Sequence, residues 1–265
     1  MVERPIQLTL IWGDCLEEMK KIPDKSVDMV LTDPPYGTTA CKWDTVVPFG
    51  PMWEQLHRVT KDNGAICLFG SEPFSSALRM SNIKRFKYDW VWHKSNPSNF
   101  ATANKRPMSY HEIISTFYSK QPRYNKQMIT RLSRVVERHK RNGTKGKTSK
   151  SDHIGLEQEK DYATKYDPDK KNPGTIIYCN SVSNFSKIKS HPTQKPVALL
   201  EYLIKTYTLE GETVLDFTMG SGSTGVACKN LNRNFIGIEK EKKYFDIAKS
   251  RIENHMPEQQ TALAV

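Results

Sequence analysis

The sequence predicts an α/β fold built on a mostly parallel sheet, and three observations carry that expectation. Short apolar runs alternate along the chain with stretches whose apolar residues recur at helical spacing. Two of the runs, residues 27–32 and 65–69, are apolar over most of their length instead of alternating, as strands covered on both faces are. Farther on, Val214-Leu215-Asp216-Phe217-Thr218-Met219-Gly220-Ser221-Gly222-Ser223-Thr224-Gly225 reads as a strand, a glycine turn and a helix start.

The elements follow in order. Residues 8–12 form a short strand closed by Gly13-Asp14. Leu16, Met19 and Ile22 share one face of a helix over 16–22 that Pro23 ends. The strand over 27–32 stops at Asp33-Pro34-Pro35-Tyr36, because neither proline can donate to a ladder. A helix over 49–60 comes next, then a turn at Asp62-Asn63-Gly64 and the buried strand over 65–69. A helix over 73–80 and strands over 88–93 and 110–118 complete the first half. Regular pattern resumes with a strand over 175–179 and a helix over 196–207, which has proline in its first turn and an apolar stripe through Leu200, Leu203 and Tyr207. A strand over 213–217, a helix over 223–230, a strand over 234–239 and a helix over 242–254 follow, with a frayed tail from 257.

The totals bound the function. A chain of 265 residues with 37% hydrophobic content suits one large domain, or one domain with an insertion. No apolar run approaches the ~18 residues of a membrane span, and no leader is expected after Met1. Five scattered cysteines without a C-x-x-C pair, and histidines without H-E-x-x-H spacing, point to reduced thiols in a cytoplasm and to no metal site. A net charge of +11 favours a polyanionic partner. Much of the excess sits in residues 120–174, where 15 lysines and arginines face 7 acids in a stretch of weak periodicity. That segment is either an inserted recognition module or a solvated loop.

Gly220, Gly222 and Gly225 satisfy G-x-G-x-x-G, and Glu239 ends the next strand. This is a dinucleotide fingerprint, so a nicotinamide-dependent oxidoreductase is one reading. Asp216 at the strand end favours another: a carboxylate there repels a pyrophosphate and attracts a cationic amine. A cofactor with a ribose, an amino-acid moiety and no phosphate fits, namely S-adenosylmethionine. On that reading the glycines allow close backbone approach, Asp216 lies near the methionine portion and Glu239 holds the ribose.

Asp33-Pro34-Pro35-Tyr36, followed far downstream by His191-Pro192-Thr193-Gln194-Lys195-Pro196, Asp216-Phe217 and the glycine loop, resembles the amino-methylating DNA methyltransferases. The order of these motifs resembles the beta class, a circularly permuted form, and the resemblance covers about residues 8–251. It implies a Rossmann-like sheet of seven strands with helices on both faces, S-adenosylmethionine as methyl donor and a target base in double-stranded DNA. Residues 1–119 would then be the catalytic half, 120–174 an inserted target-recognition region, 175–256 the cofactor-binding half and 257–265 a tail. Asp14 and Cys15 match a position beside the cofactor's adenine, although Asp14 also suits a helix N-cap. Asp33, Thr193, Lys195, Asp216, Phe217, Gly220, Gly222 and Glu239 complete the implied cofactor set, with Lys195 pairing the methionine carboxylate. A homodimer and a cognate restriction enzyme are the further partners that the class admits.

An exocyclic amine on a base is a poor nucleophile, because its lone pair is delocalised into the ring. Asp33 and the Pro34 carbonyl would accept its two N–H groups, held stiffly by the prolines. The base must leave the duplex, and Tyr36 offers a ring to stack on it, a contact worth ~1–3 kcal/mol. Asp at the first motif position favours adenine N6 as the target, with cytosine N4 the alternative. Lys42 is expected on phosphate, and Arg131, Arg134 and Arg138 lie at helical spacing, where one of them would read guanine. A non-catalytic DNA-binding module is the third reading, which an intact Asp33 disfavours.

Overall fold

The computed structural model describes residues 5–39, 41, 44–131, 167, 169–182 and 194–256. The described residues up to Asn125 and from Thr175 onward form one compact unit, and those between Lys126 and Gly174 belong to a second. In chain order the elements are β1 (Leu8–Trp12), α1 (Cys15–Met19), β2 (Val27–Thr32), α2 (Phe49–Val59), β3 (Thr60–Gly70), α3 (Phe74–Ser81), β4 (Phe86–Ser98) and β5 (Ser109–Phe117). The second unit contributes β6 (Ile129–Thr130) and β7 (Lys170–Lys171), which pair antiparallel. The chain then gives β8 (Ile176–Tyr178), α4 (Val197–Tyr207), β9 (Thr213–Asp216), α5 (Ser223–Asn230), β10 (Asn234–Glu239) and α6 (Lys242–Glu253). Among the described residues no helix is long and apolar enough to cross a membrane.

The large unit is organised around one sheet of order β1-β10-β9-β2-β3-β5-β4-β8. All its neighbours are parallel except β5, which runs against both β3 and β4. Among the described residues the sheet has eight strands, one more than the family resemblance implies. The extra strand is β8, a three-residue edge strand that lies parallel to β4 with Val91 opposite Ile176.

Side chains of β2 sort the core into two layers, as the pleat requires. Met29 and Leu31 pack with Leu200, Leu203 and Ile204 of α4 and with Val226 of α5. Val30 faces the opposite way, against Met19 of α1, Leu56 of α2 and Leu78 of α3. Helices on both faces explain why the β2 sequence is apolar on successive positions.

Three local expectations change. The sequence predicts a turn at 62–64, but β3 continues through it. The β2–β3 register jumps from Val27 opposite Thr60 to Met29 opposite Ala65, so the extra residues bulge out of the ladder. Asp28, inside that jump, pairs with Lys61 at 2.6 Å and accepts the Thr213 N–H at 3.0 Å, which pins the bulge to the start of β9. Helix α1 ends at Met19 instead of Ile22, because the Lys21 and Ile22 N–H groups bond three residues back, to Glu18 and Met19. Strand β4 runs five residues past the expected His93, to Ser98.

Leu203 is fully buried between α4 and the sheet. Leu203→Ala should lower unfolding free energy by ~2–5 kcal/mol, seen as a fall in the urea midpoint.

Candidate active site

β2 and β9 are parallel neighbours whose outgoing connections lead to opposite sides of the sheet, β2 on to β3 and β9 on to β10. A crevice opens at the carboxyl ends of such a pair. Here it is a cavity of about 580 Å³. Asp33, Pro34 and Tyr36 line it from the end of β2, and Asp216, Phe217 and Gly220 from the end of β9. Asp14 and Cys15 reach it from β1, Glu239 from β10, and Lys195 from the segment ahead of α4.

The two strand ends are clasped by one buried carboxylate. Asp216 accepts hydrogen bonds from the Thr32 hydroxyl on one oxygen and the Thr224 hydroxyl, at 2.6 Å, on the other. The Thr218 N–H adds a third at 3.2 Å. The Thr218 hydroxyl then donates to the Asp33 carbonyl at 3.2 Å. Burial pushes the Asp216 carboxyl up to about 6 in spite of these donors. The expected partner of a cationic amine therefore works first as the knot that ties the glycine loop to the proline motif.

Both Asp33 oxygens are engaged. Tyr36 donates its hydroxyl to Oδ1, and Lys195 Nζ lies 2.5 Å from Oδ2. The Tyr36 ring stacks on Phe74 with centroids 5.0 Å apart. Lys195 also lies 3.3 Å from Glu112 Oε2, and its ammonium sits 5.1 Å above the Phe69 ring. The Lys195 ammonium, expected on the cofactor's carboxylate, has Asp33 and Glu112 as its partners within the chain. The physical reason is burial: a lysine 8% exposed needs a counter-charge from within the protein. Burial alone would lower the Lys195 value, but the two carboxylates raise it, so the ammonium keeps its proton. Burial pushes the Asp33 carboxyl up, Lys195 draws it back, and Glu112 pushes it up again; the net direction is upward.

The remaining predicted residues divide by role. Asp14 caps α1 by accepting the Leu16 N–H at 3.0 Å and pairs with Lys240 at 3.2 Å, while still lining the cavity. Burial pushes the Cys15 thiol up to about 12, so it stays neutral. Glu239 accepts the Gly220 N–H at 2.9 Å and the Glu241 N–H at 2.8 Å, which fastens the glycine turn to the end of β10. Phe217 is buried in the layer of α1 and α2, and adds a wall. Gly222, expected in the cofactor set, does not line the cavity. A Cβ there would meet Ala248 of α6 at 3.0 Å, and one on Gly225 would meet Ile252 at 2.4 Å. At Gly220 a Cβ would meet nothing within 4 Å. Gly220 thus faces open space, whereas Gly222 and Gly225 let α6 approach the turn.

Sequence reading missed Glu112, Lys94 and Asp44. Glu112 and Lys94 carried a signal: each is a charge in the inward phase of a strand, next to Ile114 of β5 and Trp92 of β4. Asp44 accepts the N–H groups of Gly37, Thr38 and Thr39 at 2.7–2.9 Å, which folds the loop after Tyr36 back on itself. Burial pushes its carboxyl up, but the Gly37, Thr39 and Thr38 donors outweigh that and hold it below the ordinary aspartate range. Lys42, Thr193, Arg134 and Arg138 lie outside the described residues. Arg131 lies in the second unit, where its N–H donates to the Asp169 carbonyl at 2.8 Å and its Nε to the Lys170 carbonyl at 2.7 Å.

Comparison with known proteins places these features in context. Residues 27–250 match the family described as DNA methylase, of N6 and N4 methyltransferases. The Type II methyltransferase M.HinfI of Haemophilus influenzae is 28% identical over 94% of this chain and 69% of its own. The crystal structure of the M1.HpyAVI–SAM complex superposes with a TM-score of 0.62 at 26% identity, covering 93% of this chain and 99% of that one. The PvuII DNA methyltransferase (cytosine-N4-specific) shares the fold at 16% identity with a TM-score of 0.65, over 95% of this chain and 89% of that one.

Two predictions follow from the geometry. Gly222→Ala combines a φ of +76° with a clash against α6, whereas Gly220→Ala meets only its φ of +51°. In denaturant titrations Gly222→Ala should therefore lose more stability than Gly220→Ala. Asp44 has a depressed value when folded, so its stabilisation is present at neutral pH and disappears as pH falls through that value. Asp44→Ala should cost ~1–3 kcal/mol at pH 7, and the gap from wild type should close in acid melts.

Proposed function

The chain belongs to the N6/N4 family of DNA methylases, and from that membership we propose that it methylates the N6 amino group of adenine in double-stranded DNA, with S-adenosylmethionine as donor. The observation that carries the reading is the placement of Asp33 on the same cavity as the glycine turn and Glu239. A nicotinamide chemistry would give the proline motif no task, and the family match sets it aside.

The cavity's donor set fits this cofactor. Gly220 leaves backbone open to close approach, Asp14 and Glu239 present carboxylates to a ribose and an adenine, and the lining lysines Lys94, Lys195 and Lys240 are each paired with a carboxylate of the chain. When bound, S-adenosylmethionine supplies a methyl group made electrophilic by its sulfonium. Asp33 accepts one N–H of the target amine and the Pro34 carbonyl the other, which turns the nitrogen lone pair out of conjugation with the ring. The prolines fix both acceptors, so little reorganisation is needed at each turnover. The surplus proton leaves to Asp33 or to water once the nitrogen carries the methyl group. Asp33's raised value suits it to that late proton. Tyr36 presents the face of its ring that Phe74 does not cover to the extruded base.

Residues 120–174 serve target recognition on this reading, supported by their 15 basic residues against 7 acidic ones. Relatives named as Type II methyltransferases support a cognate restriction enzyme as partner.

Asp33→Ala should abolish methyl transfer to DNA while S-adenosylmethionine still binds in calorimetry; a fully active variant would sink the mechanism. Digestion of modified DNA to nucleosides should yield N6-methyladenine. N4-methylcytosine in its place would move the target to the other base. Deleting 125–170 should remove both sequence preference and the steep salt dependence of DNA binding.

A further inference from the structure

The charge that the methyl-transfer reading leaves unexplained lies on the β4–β5 wall of the cavity. Glu112 of β5 stands opposite Trp92 of β4, and Lys94 follows two residues on along β4. Lys94 donates to Glu112 Oε1 at 3.1 Å and to the Ser98 hydroxyl at 3.2 Å. Glu112 Oε2 is buried and accepts no hydrogen bond among the described residues, yet it lies only 3.3 Å from Lys195 Nζ. That ammonium is committed to Asp33, at 2.5 Å. One buried cation thus sits between two carboxylates, bonded to one and within reach of the other.

Asp33 has little room for a substrate in this arrangement, since Tyr36 occupies Oδ1 and Lys195 occupies Oδ2. An amine that is to donate to Asp33 must therefore share an oxygen that is already engaged or take the place that one of the two donors gives up. Lys195 has the shorter route: closing 3.3 Å to an ordinary charge-assisted ~2.8 Å completes its bond to Glu112. Glu112 has an oxygen ready, and Lys94 holds the carboxylate still from the other side.

We propose that Lys195 and Glu112 are positioning residues for Asp33: Lys195 keeps the carboxylate ionised and aimed while no base is bound, and Glu112 receives the ammonium when the target amine takes its place. The proposal rests on the methyl-transfer reading of the cavity. Its electrostatics are local. Asp33 and Glu112 carry two negative charges and Lys94 and Lys195 two positive ones, so moving the ammonium changes no charge inside the cluster and draws no ion from solvent. The other groups facing Asp33 are the Tyr36 hydroxyl and, behind the strand ends, the Asp216 carboxylate. Without Lys195, Asp33 would be a buried acid beside two others, and it would hold its proton to higher pH.

Two variants separate the partners, Lys195→Met and Glu112→Gln. The Asp33 carboxyl is followed by carbon NMR titration of the cofactor-free full-length chain, with Asp33→Asn assigning its signal. The acid limb of kcat/KM for methyl transfer to unmodified double-stranded DNA is measured alongside. Lys195→Met should raise the Asp33 midpoint by about 1–3 pH units and move the acid limb with it. Glu112→Gln should shift both to lower pH, because it removes a like charge and leaves Lys195 to Asp33 alone. It should also reduce kcat by about tenfold or more, since the ammonium has lost its second carboxylate. S-adenosylmethionine binding should stay within about twofold of wild type in Glu112→Gln, which a general loss of structure would not allow. Midpoints that do not move, or that move in the same direction in both variants, overturn the inference. If Lys195→Met fails to fold, the isosteric Glu112→Gln decides by itself: a midpoint that stays or rises overturns it. A wild-type chain that transfers no methyl group to any DNA would overturn the enzymatic reading instead, and the NMR titration would still judge the pairing of Asp33.

Discussion

The site depends on the lateral pairing of β2 with β9. These strands are separated by most of the chain, yet Met29 lies opposite Val214 and Val30 opposite Leu215. Backbone pairing fixes the strands, and Asp216 fixes their ends through the Thr32 and Thr224 hydroxyls. Asp28 does the same at the other end by accepting the Thr213 N–H. A buried carboxylate without donors would be costly, so each of these acids makes the geometry obligatory. Everything with a chemical role in the cavity is measured from that seam: the proline motif on one side, the glycine turn on the other.

The second constraint is charge. Asp33, Glu112, Lys94 and Lys195 are brought together at the edge of the apolar layer that α4 covers, with the Lys94 ammonium over the Trp92 ring and that of Lys195 over Phe69. Charges in such a place persist only as a neutral, mutually bonded set. The arrangement holds a raised Asp33 beside a depressed Glu112, two carboxylates set apart by their neighbours. Burial acts on both, but Glu112 has two ammonium groups beside it and Asp33 has one.

The glycine turn shows how one motif can serve two masters. Gly220 is bare toward the cavity, and its N–H is held by Glu239. Gly222 and Gly225 are bare toward α6, where Ala248 and Ile252 press against the turn. Two of the three glycines are thus required by packing between the turn and a helix that comes later in the chain. The dinucleotide pattern in the sequence is real, but only one of its glycines looks into the cavity.

Much of the architecture was legible without coordinates. Among the described residues each strand of the main sheet and each α-helix of the large unit overlaps its expected range, because apolar period and proline or glycine stops are local properties. Pro34, Pro35 and Gly220 were legible as stops and turns, and Asp33, Asp216 and Glu239 as acids at strand ends; all six line the cavity. The bulge at 61–64 was not legible, as it exists only where β3 must stay in step with β2. Nor was the partner of Lys195, or the presence of Glu112 and Lys94 in the cavity. The sequence by itself determined which residues would be rigid, apolar or charged. Which charge meets which was decided by the tertiary structure alone, because an ion pair in a buried place is set by strand order and register, and those join residues 162 positions apart.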